Sequence, residues 1–454
     1  MSTSPNSLLI NPPATDFSAF DLWLKPLGLL RTAAILSASG CNVKLFDSLE
    51  RNHPYYSDHS ISVPKSRSDG SGHFYKTRIE KPAVFAGIPR YFNRFGVPLS
   101  ALVDAASQWK QSGWIPDAVL VTSLFTYWYP GAFEIIACAK KLWPGIPVIL
   151  GGAYASLCRD HALQFSGADT VVSGPDGTDD WIAECLRSYG LARTEPLVWA
   201  DYSLYETGTN HAAVISSKGC PYHCDYCASR RISGAYQNRS VDAVVRDISH
   251  IAGFGIRHIA FYDDAFLVGA DTGAIPILEA VASMRKTGEQ VSGGLSIHLP
   301  NSIHIRFLTE KIARLFKDAG VSTIRLSFES VRESSAGVSS NKTTPDDLRR
   351  AASYLRDAGY DLSSIGVYSL LGYPGPDVSD ARETYRFINS LGLRVSPALY
   401  SPVPGTVQFD DAVKNGLPPD EPLYQNKIAY SYRFGTMAVK DFNELRRFAD
   451  DLNR

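Results

Sequence analysis

Short apolar runs alternate with helix-like stretches through residues 1–195 of the chain. Each apolar run stops at a proline, glycine or aspartate, which is typical of strands that end in a loop. The predicted strands read SLLINPP, NVKLFD, AVLVTSLF, PVILGG and ADTVVSG, and the predicted helices include LGLLRTAAILSASG and AFEIIACAKKLW. Apolar strands that alternate with helices predict an α/β fold with a Rossmann-like, doubly wound parallel sheet.

A second strand–helix series follows a linker, which we place at residues 196–211. Its predicted strands read AAVISS, HIAFYDD, VSGGLSIH, STIRLSFES, SSIGVYSLLG and RVSPALYS. Its predicted helices include VDAVVRDISHIAGFG, which Ser240 should cap, FLTEKIARLFKDAG and PDDLRRAASYLRDAG. Six strands with intervening helices predict a partial (β/α)6 TIM-like barrel over residues 212–410. The extension at 411–454 ends in an amphipathic helix, DFNELRRFADDLNR, which should pack on the barrel.

The carboxyl ends of the first strand series are candidate binding positions, because ligands of doubly wound sheets lie beyond those ends. They carry Pro12, Pro13, Asp47, Ser123, Gly151, Gly152, Ala153 and Gly174. Nearby, Tyr127, Trp128 and Tyr129 could stack on a planar ring or belong to the core. In the barrel, His298 is expected at the end of the third strand, where it would face the barrel mouth or serve a structural role.

A basic insertion at residues 53–98 interrupts the first series. It is too long for an ordinary connection between a strand and a helix. Between residues 65 and 94 it holds seven lysines and arginines against two acidic residues. Two interpretations stay open, a solvated surface insertion and a lid whose cations receive an anionic substrate.

Length and composition narrow the class of protein. The chain has 454 residues, enough for two or three domains, with 44% hydrophobic and 20% charged residues. A formal net charge of −1 gives no reason to expect nucleic acid or a membrane surface as partner. No apolar run reaches the roughly 20 residues that a membrane span needs. Four scattered cysteines in an odd total of seven favour a reducing, cytoplasmic location.

The remaining three cysteines are crowded into KGCPYHCDYC, where Cys220, Cys224 and Cys227 form a C-x3-C-x2-C run. Thiolates are soft ligands that suit iron–sulfur clusters and zinc. A structural zinc site normally needs four ligands, and His223 is placed awkwardly for the fourth. A [4Fe–4S] cluster is favoured, because three thiolates leave one iron open for a small molecule.

At this point residues 212–410 resemble the radical S-adenosylmethionine (SAM) enzymes. Beside the cysteine run, with its aromatic Tyr226, the similar segments are YDDAF at 262–266, SFES at 327–330, LLGYPG at 370–375 and SPVPGT at 401–406. The resemblance implies that the open iron binds SAM, which is then cleaved reductively to methionine and a 5′-deoxyadenosyl radical. Glu329 is the matched acid of the SFES segment, and Asp264 is the candidate substitute for a glycine–glycine–glutamate motif that this chain lacks.

The resemblance also implies the site residues of the barrel. Those expected to contact SAM are Tyr226, Asp264, Ser296, Glu329, Leu371 and Gly372. The three cysteines and Glu329 are the expected catalytic residues, with the cysteines as metal ligands. An electron donor such as flavodoxin or ferredoxin is the expected protein partner.

Most of residues 6–177 resemble the cobalamin-binding domain that precedes many radical SAM enzymes, apart from the basic insertion. The D-x-H-x-x-G loop is absent, so cobalt would have no lower histidine ligand. The expected function is a cobalamin-dependent methyltransferase, or a related radical transformation, that acts on a small molecule. Whether that molecule is an anion stays open. Two alternatives remain, a cobalamin-independent transferase of the 3-amino-3-carboxypropyl group to an anionic or metalloid substrate, and a non-catalytic iron–sulfur protein.

Overall fold

The computed structural model describes residues 4–205, 208–287, 294–332, 343–372 and 377–454. The chain forms two compact units: the first comprises residues 1–212 and 420–423, and the second residues 213–419 and 424–454. The predicted linker at 196–211 therefore lies within the first unit. The predicted extension at 411–454 lies in the second unit, apart from the four residues 420–423.

The first unit contains ten short strands and seven α-helices among its described residues. The strands are β1 (Asn6–Asn11), β2 (Ala14–Asp16), β3 (Phe20–Asp21), β4 (Asn42–Asp47), β5 (Gly72–His73), β6 (Lys76–Ile79), β7 (Phe92–Phe95), β8 (Ala118–Val121), β9 (Val148–Leu150) and β10 (Thr170–Val171). The helices are α1 (Leu27–Ala38), α2 (Pro54–Asp58), α3 (Leu99–Gln111), α4 (Tyr129–Leu142), α5 (Gly152–Leu157), α6 (Arg159–Phe165) and α7 (Gly177–Ser188).

The main sheet of this unit has the order β10-β9-β8-β1-β4, and all its pairs are parallel. Leu8, Leu9 and Ile10 of the central strand β1 are fully buried, which is why the middle of that strand is apolar. The chain moves outward from β1 to β4 and then reverses to β8. Such a reversal is the topological switch point where doubly wound folds bind ligands. The predicted Rossmann-like fold is confirmed.

The basic insertion folds into structure of its own. It supplies β6 and β7, which form a three-stranded antiparallel sheet with β2, and β5, which pairs with β3. Arg51, just before the insertion, is 4% exposed at its side chain and donates to the Asp21 carboxylate at 2.7 Å. It also donates to Ser66 Oγ at 2.8 Å and to the Gly70 carbonyl. A buried ion pair thus ties the insertion to β3.

The second unit is built on a six-stranded sheet in sequential order, β11-β14-β15-β16-β17-β18, with a small antiparallel pair β12-β13 beside it. Its strands are β11 (His211–Val214), β12 (Ser217–Lys218), β13 (Gln237–Asn238), β14 (His258–Phe261), β15 (Ser296–Ile303), β16 (Val321–Ser327), β17 (Gly366–Leu371) and β18 (Arg394–Leu399). Its helices are α8 (Ser229–Ser233), α9 (Val241–Gly253), α10 (Ala274–Thr287), α11 (Glu310–Asp318), α12 (Pro345–Asp357), α13 (Val378–Ser390), α14 (Val407–Lys414), α15 (Lys427–Arg433) and α16 (Val439–Leu452).

The strand pairs from β14 to β18 are parallel, as a partial barrel requires. Ser240 caps α9 by accepting from the Ala243 amide at 3.3 Å, as the sequence predicts. In the last helix, the Leu452 carbonyl accepts from Asn389 Nδ2 at 2.7 Å, so α16 lies against α13. Within the described ranges, no helix combines the length and apolar character that a membrane crossing demands.

Candidate active site

The three clustered cysteines lie in one loop between β12 and α8, which we call the cysteine loop (residues 219–228). Cys220 and Cys224 are half-buried and Cys227 is exposed, and none of the seven cysteines forms a disulfide. Inside the loop, the Cys227 amide donates to the Cys224 carbonyl at 3.0 Å. The loop therefore follows the first barrel strand and presents three thiols, two of them on one tight turn.

Gly219 fixes how the chain enters this loop. Its φ of +68° lies in the left-handed region, and a Cβ there would stand 2.6 Å from the Gly234 carbonyl oxygen. Only glycine meets both conditions without strain. The lysine–glycine–cysteine sequence thus sets the direction of the first predicted ligand, Cys220.

Tyr226 connects the loop to the fourth barrel strand in the sheet. Its phenol donates to Glu329 Oε1 at 2.6 Å, and Glu329 lies two residues beyond β16. Burial, and then the charge of Glu329, raises the pKa of Tyr226 far above its usual value. The phenol therefore keeps its proton and acts as the donor to Glu329 at neutral pH.

A second contact joins the loop to the end of β14. Ser229 Oγ lies 2.9 Å from Asp264 Oδ1 and 3.2 Å from Cys227 Sγ. The Ser229 hydroxyl thus links Asp264, a predicted contact of SAM, to Cys227, a predicted metal ligand. Glu329 and Asp264 reach the same loop from two different strands, as their positions at carboxyl ends predict.

Asp263, which we did not predict, anchors the strand that leads into the loop. It is 3% exposed and accepts from the amides and the hydroxyls of both Ser216 and Ser217, at 2.6–3.0 Å. Burial raises the pKa of this carboxyl, and the hydrogen bonds oppose that rise. Two features of the sequence could have revealed this contact. One is the pair of adjacent serines just before the cysteine run, and the other is the double aspartate after the next strand.

His304 is a second residue that we did not predict. It follows the third strand of the sheet, β15, is 5% exposed, and its ring meets Tyr222 of the cysteine loop edge to face at 5.0 Å. The predicted histidine of that strand, His298, is fully buried near the opposite, amino end. There it contacts His258 at 3.1 Å and Thr323 at 3.0 Å. The expectation that His298 stands at the end of its strand is wrong, because β15 begins at Ser296 and runs to Ile303.

Three further predicted SAM contacts occupy different places. Ser296 is the first residue of β15, and its hydroxyl pairs with Ser322 Oγ at 2.7 Å, so its position does not favour contact with a ligand at the carboxyl ends. Leu371 ends β17 and Gly372 follows it with a φ of +83°. Both stand at the carboxyl edge, and the rest of that segment, residues 373–376, lies outside the described residues.

The proline-rich turn at 401–406 also supports the cysteine loop. It leads into α14, where the Gln408 amide donates to the Asp225 carbonyl at 3.0 Å. A Cβ at Gly405 would stand 2.5 Å from Arg231 Nε of α8. The last barrel strand therefore delivers a turn that packs on both the loop and the helix behind it.

In the first unit the predicted binding positions separate into two groups. Pro12, Pro13 and Asp47 are buried, as is Ser123 at 1% exposure. Gly131 in α4 packs so closely that a Cβ there would lie 1.8 Å from the Pro13 carbonyl oxygen. The half-buried group at the ends of β9 and β10 comprises Gly151, Gly152, Ala153 and Gly174.

The aromatic run beside these positions belongs to the core. Tyr127 and Trp128 pack with Phe74 and Phe95 of the basic insertion, and Trp128 Nε1 donates to Asp16 Oδ2 at 2.9 Å. Tyr129 donates to Glu421 Oε1 at 3.1 Å. Of the two interpretations of Tyr127 and Trp128, the structure therefore supports packing in the core and not stacking on a planar ring.

The donor set of the cysteine loop fits a cluster better than a single ion. Over the described ranges, no three histidine, cysteine or acidic side chains are gathered around one metal position. A cubane cluster does not need that arrangement, since each of its thiolates binds a separate iron. His223, the alternative zinc ligand, turns its Nε2 to Arg230 Nη1 at 2.8 Å.

Comparison with known proteins identifies the second unit. Residues 214–388 match the family described as the Radical SAM superfamily. The chain carries a radical SAM domain. Its cofactors are accordingly a [4Fe–4S] cluster and SAM.

Two curated relatives extend the match beyond the radical SAM domain. An uncharacterized methyltransferase of Pyrococcus horikoshii is 27% identical over 337 residues, which cover 66% of this chain and 70% of the relative. The cytidylyl-2-hydroxyethylphosphonate methyltransferase of Streptomyces wedmorensis is 21% identical over 98% of this chain and 89% of its own length. The second alignment runs over nearly the whole chain, so the similarity is not confined to the radical SAM domain.

A solved structure shares the whole fold. TsrM of Kitasatospora setae, a radical SAM methyltransferase solved with cobalamin and a [4Fe–4S] cluster bound, superposes with a TM-score of 0.68 at 16% identity. The alignment covers 99% of this chain and 89% of TsrM. The predicted combination of a cobalamin-binding-like unit and a radical SAM domain is confirmed at the level of fold.

Replacing Tyr226 with phenylalanine should loosen the cysteine loop of the radical SAM domain. The variant loses a hydrogen bond to a charged carboxylate, which is worth about 1.5–3 kcal/mol. Iron release to a chelator from the reconstituted protein should therefore be about tenfold faster or more. Tyr222→Phe in the same loop is the matched control, and equal release rates for the two variants would contradict the assignment.

Proposed function

We propose that this chain is a cobalamin-dependent radical SAM methyltransferase that acts on a small molecule. The observation that carries the proposal is the cysteine loop, held at the carboxyl ends of the barrel strands by Tyr226–Glu329 and Ser229–Asp264. Methyl transfer is supported by the names of both curated relatives and of TsrM. When bound, the cluster supplies one-electron reduction and SAM supplies the methyl group.

The residues around the cysteine loop have separate tasks in this proposal. Cys220, Cys224 and Cys227 would hold the cluster. Glu329 and Asp264, which approach from β16 and β14, would orient SAM beside it. The buried Asp263 would keep the incoming strand in place through its hydrogen bonds to Ser216 and Ser217. Most of this work is positioning and the exclusion of water from a reactive intermediate.

Cobalamin would lie over the open part of the first unit. A Cβ at Gly151 or Gly174 would meet no heavy atom within 4 Å, so the chain leaves room above the ends of β9 and β10. The end of β1, by contrast, is closed by the contact of Gly131 with Pro13. A Cβ at Gly152 would lie 2.5 Å from Thr122 Oγ1, so the end of β8 is closed as well. The residues therefore fit a ligand that lies over the ends of β9 and β10.

An anionic substrate is favoured by the basic insertion. Among the residues described, Arg78, Lys81 and Arg90 have no carboxylate within salt-bridge distance, whereas Arg94 pairs with Glu134 at 2.9 Å. The three cations line a cavity of about 800 Å³, in which Glu80 is the acidic member. Arg78 is also stacked over the Tyr91 ring at 3.7 Å, which orients its guanidinium. We infer that this cavity receives a phosphate or carboxylate group of the substrate.

Substitution of the cations that line the cavity tests whether it binds an anion. Arg78→Ala with Arg90→Ala should weaken binding of pyrophosphate to the full chain at least tenfold in calorimetry, because two charge-assisted contacts are lost. Lys65→Ala, in the same insertion but outside the cavity lining, is the matched control. Unchanged affinity in the double variant, or no measurable affinity in the parent, would remove the anion site from the proposal.

The reaction itself is tested anaerobically with the reconstituted chain. Reductant and SAM are added with and without cobalamin, and the visible spectrum and the SAM products are recorded. The expected result is retained corrinoid absorption together with 5′-deoxyadenosine as the product of SAM cleavage. Cleavage without corrinoid retention would contradict the cobalamin role, and 5′-methylthioadenosine would indicate aminocarboxypropyl transfer instead. Cluster binding without any cleavage would contradict an enzymatic role.

A further inference from the structure

We propose that Ser229 sets the reduction potential of the iron–sulfur cluster by dividing its hydrogen bond between Cys227 and Asp264. The inference rests on the proposed function, in which Cys227 is a cluster ligand. Ser229 would be a positioning residue for a proton and not a ligand or a catalytic residue. Asp264 would then have a second role, as the acceptor that competes for the same proton.

The geometry gives one hydroxyl two acceptors. Ser229 Oγ lies 3.2 Å from Cys227 Sγ and 2.9 Å from Asp264 Oδ1, both within hydrogen-bond reach. A serine hydroxyl carries a single proton, so it can donate fully to one of the two at a time. Once Cys227 is a metal-bound thiolate it has no proton, and Ser229 becomes the only donor of the pair.

The choice of acceptor has an electrostatic consequence. Reduction adds an electron to the cluster, and part of that negative charge lies on the cysteine sulfurs. A hydroxyl that donates to sulfur stabilises the reduced state and raises the potential, since hydrogen bonds to the sulfurs are among the determinants of cluster potential. Asp264 opposes this effect twice, because it withdraws the donor and places a negative charge nearby.

The surroundings of Ser229 hold the donor in a fixed place. Cys227 is the exposed one of the three cysteines, whereas Ser229 is half-buried at the start of α8. Ser229 is held in place by the same short helix that packs against the Gly405 turn through Arg231. The donor is therefore fixed relative to the loop, and its removal should alter the sulfur environment without rearranging the barrel.

The test is a redox titration of the reconstituted full chain without SAM, followed by electron paramagnetic resonance. Ser229→Ala should shift the midpoint potential to a more negative value. Asp264→Ala should shift it to a more positive value, and this shift should be smaller in the Ser229→Ala background, where no hydroxyl is released toward Cys227. Ser229→Thr keeps the hydroxyl and should restore the parent potential, and Ser233→Ala on the same helix is the control.

The outcomes separate this inference from the proposed function. If the parent chain binds no [4Fe–4S] cluster, the proposed function fails and this inference fails with it. If the cluster forms in every variant but Ser229→Ala leaves the potential unchanged, only the role of Ser229 is overturned. Equal shifts for Asp264→Ala in the two backgrounds would show a simple charge effect and would also overturn it.

Discussion

Cys224→Ser should remove the [4Fe–4S] cluster and reduce SAM cleavage to background. Three thiolates each bind one iron of the cluster, so a chain with two of them cannot hold it in the geometry that leaves one iron open. Cys224 also begins the turn in which its carbonyl accepts from the Cys227 amide. Iron and sulfide content, the visible absorption band and SAM cleavage products measure the loss.

Cys185→Ser is the matched control for this substitution. Cys185 is a half-buried thiol in α7 of the first unit, and burial raises its pKa, so it is a poor source of thiolate. This variant should keep the full iron content and the full rate of cleavage. A Cys224→Ser protein that retained the cluster and cleaved SAM at the parent rate would exclude the cysteine loop as the metal site.

Arg51→Met should destabilise the first unit by about 3–5 kcal/mol, because it leaves the Asp21 carboxylate buried without its partner. The Asp21 and Arg51 side chains are 2% and 4% exposed. The substitution also takes a donor from Ser66 and the Gly70 carbonyl. Chemical denaturation monitored by tryptophan fluorescence should show an earlier transition, with the second unit unfolding near its original midpoint.

The pH dependence of this variant has a defined sign. Burial raises the pKa of Asp21, and Arg51 opposes that rise in the parent chain. Without Arg51 the folded-state pKa lies further above the unfolded value, so stability is retained at low pH and lost as pH rises through the folded pKa. The loss of unfolding free energy in Arg51→Met should therefore be smaller at about pH 5 than at about pH 8. Arg187→Met, at an exposed position of α7, is the control. It should lower the free energy of unfolding by less than about 1 kcal/mol at either pH.

The sequence predicted well those features that depend on local pattern. Strand β4 has the predicted bounds, Asn42–Asp47, because an apolar run between a turn and an aspartate leaves few alternatives. The metal site stays a prediction, and it too rests on a local pattern, since its candidate ligands are adjacent in the chain. Tyr226 and Glu329 were both named as site residues, although nothing in the sequence specified the 2.6 Å hydrogen bond between them.

Features that depend on long-range pairing were predicted poorly. The buried anchor joins Asp263 to Ser216 and Ser217 across more than 40 residues, and no local pattern pairs a carboxylate with those serines. The end of β15 was predicted too early, at His298, because the proline–asparagine step at 300–301 continues the strand to Ile303. The position of His298 at the end of its strand was wrong as a result, whereas the alternative, a structural role, agrees with its complete burial. The compact fold of the basic insertion also escaped prediction, because its strands are only two to four residues long.

The short return of residues 420–423 to the first unit limits how the gene can be divided. An expression fragment that stops at residue 212 would lack Glu421 and leave the Tyr129 phenol without the carboxylate that accepts its proton at 3.1 Å. A fragment that starts at residue 213 would carry that tetrapeptide away from its own unit. Domain exchange with a relative should therefore move two segments together, and fragments of either unit should be made with residues 420–423 grafted or replaced.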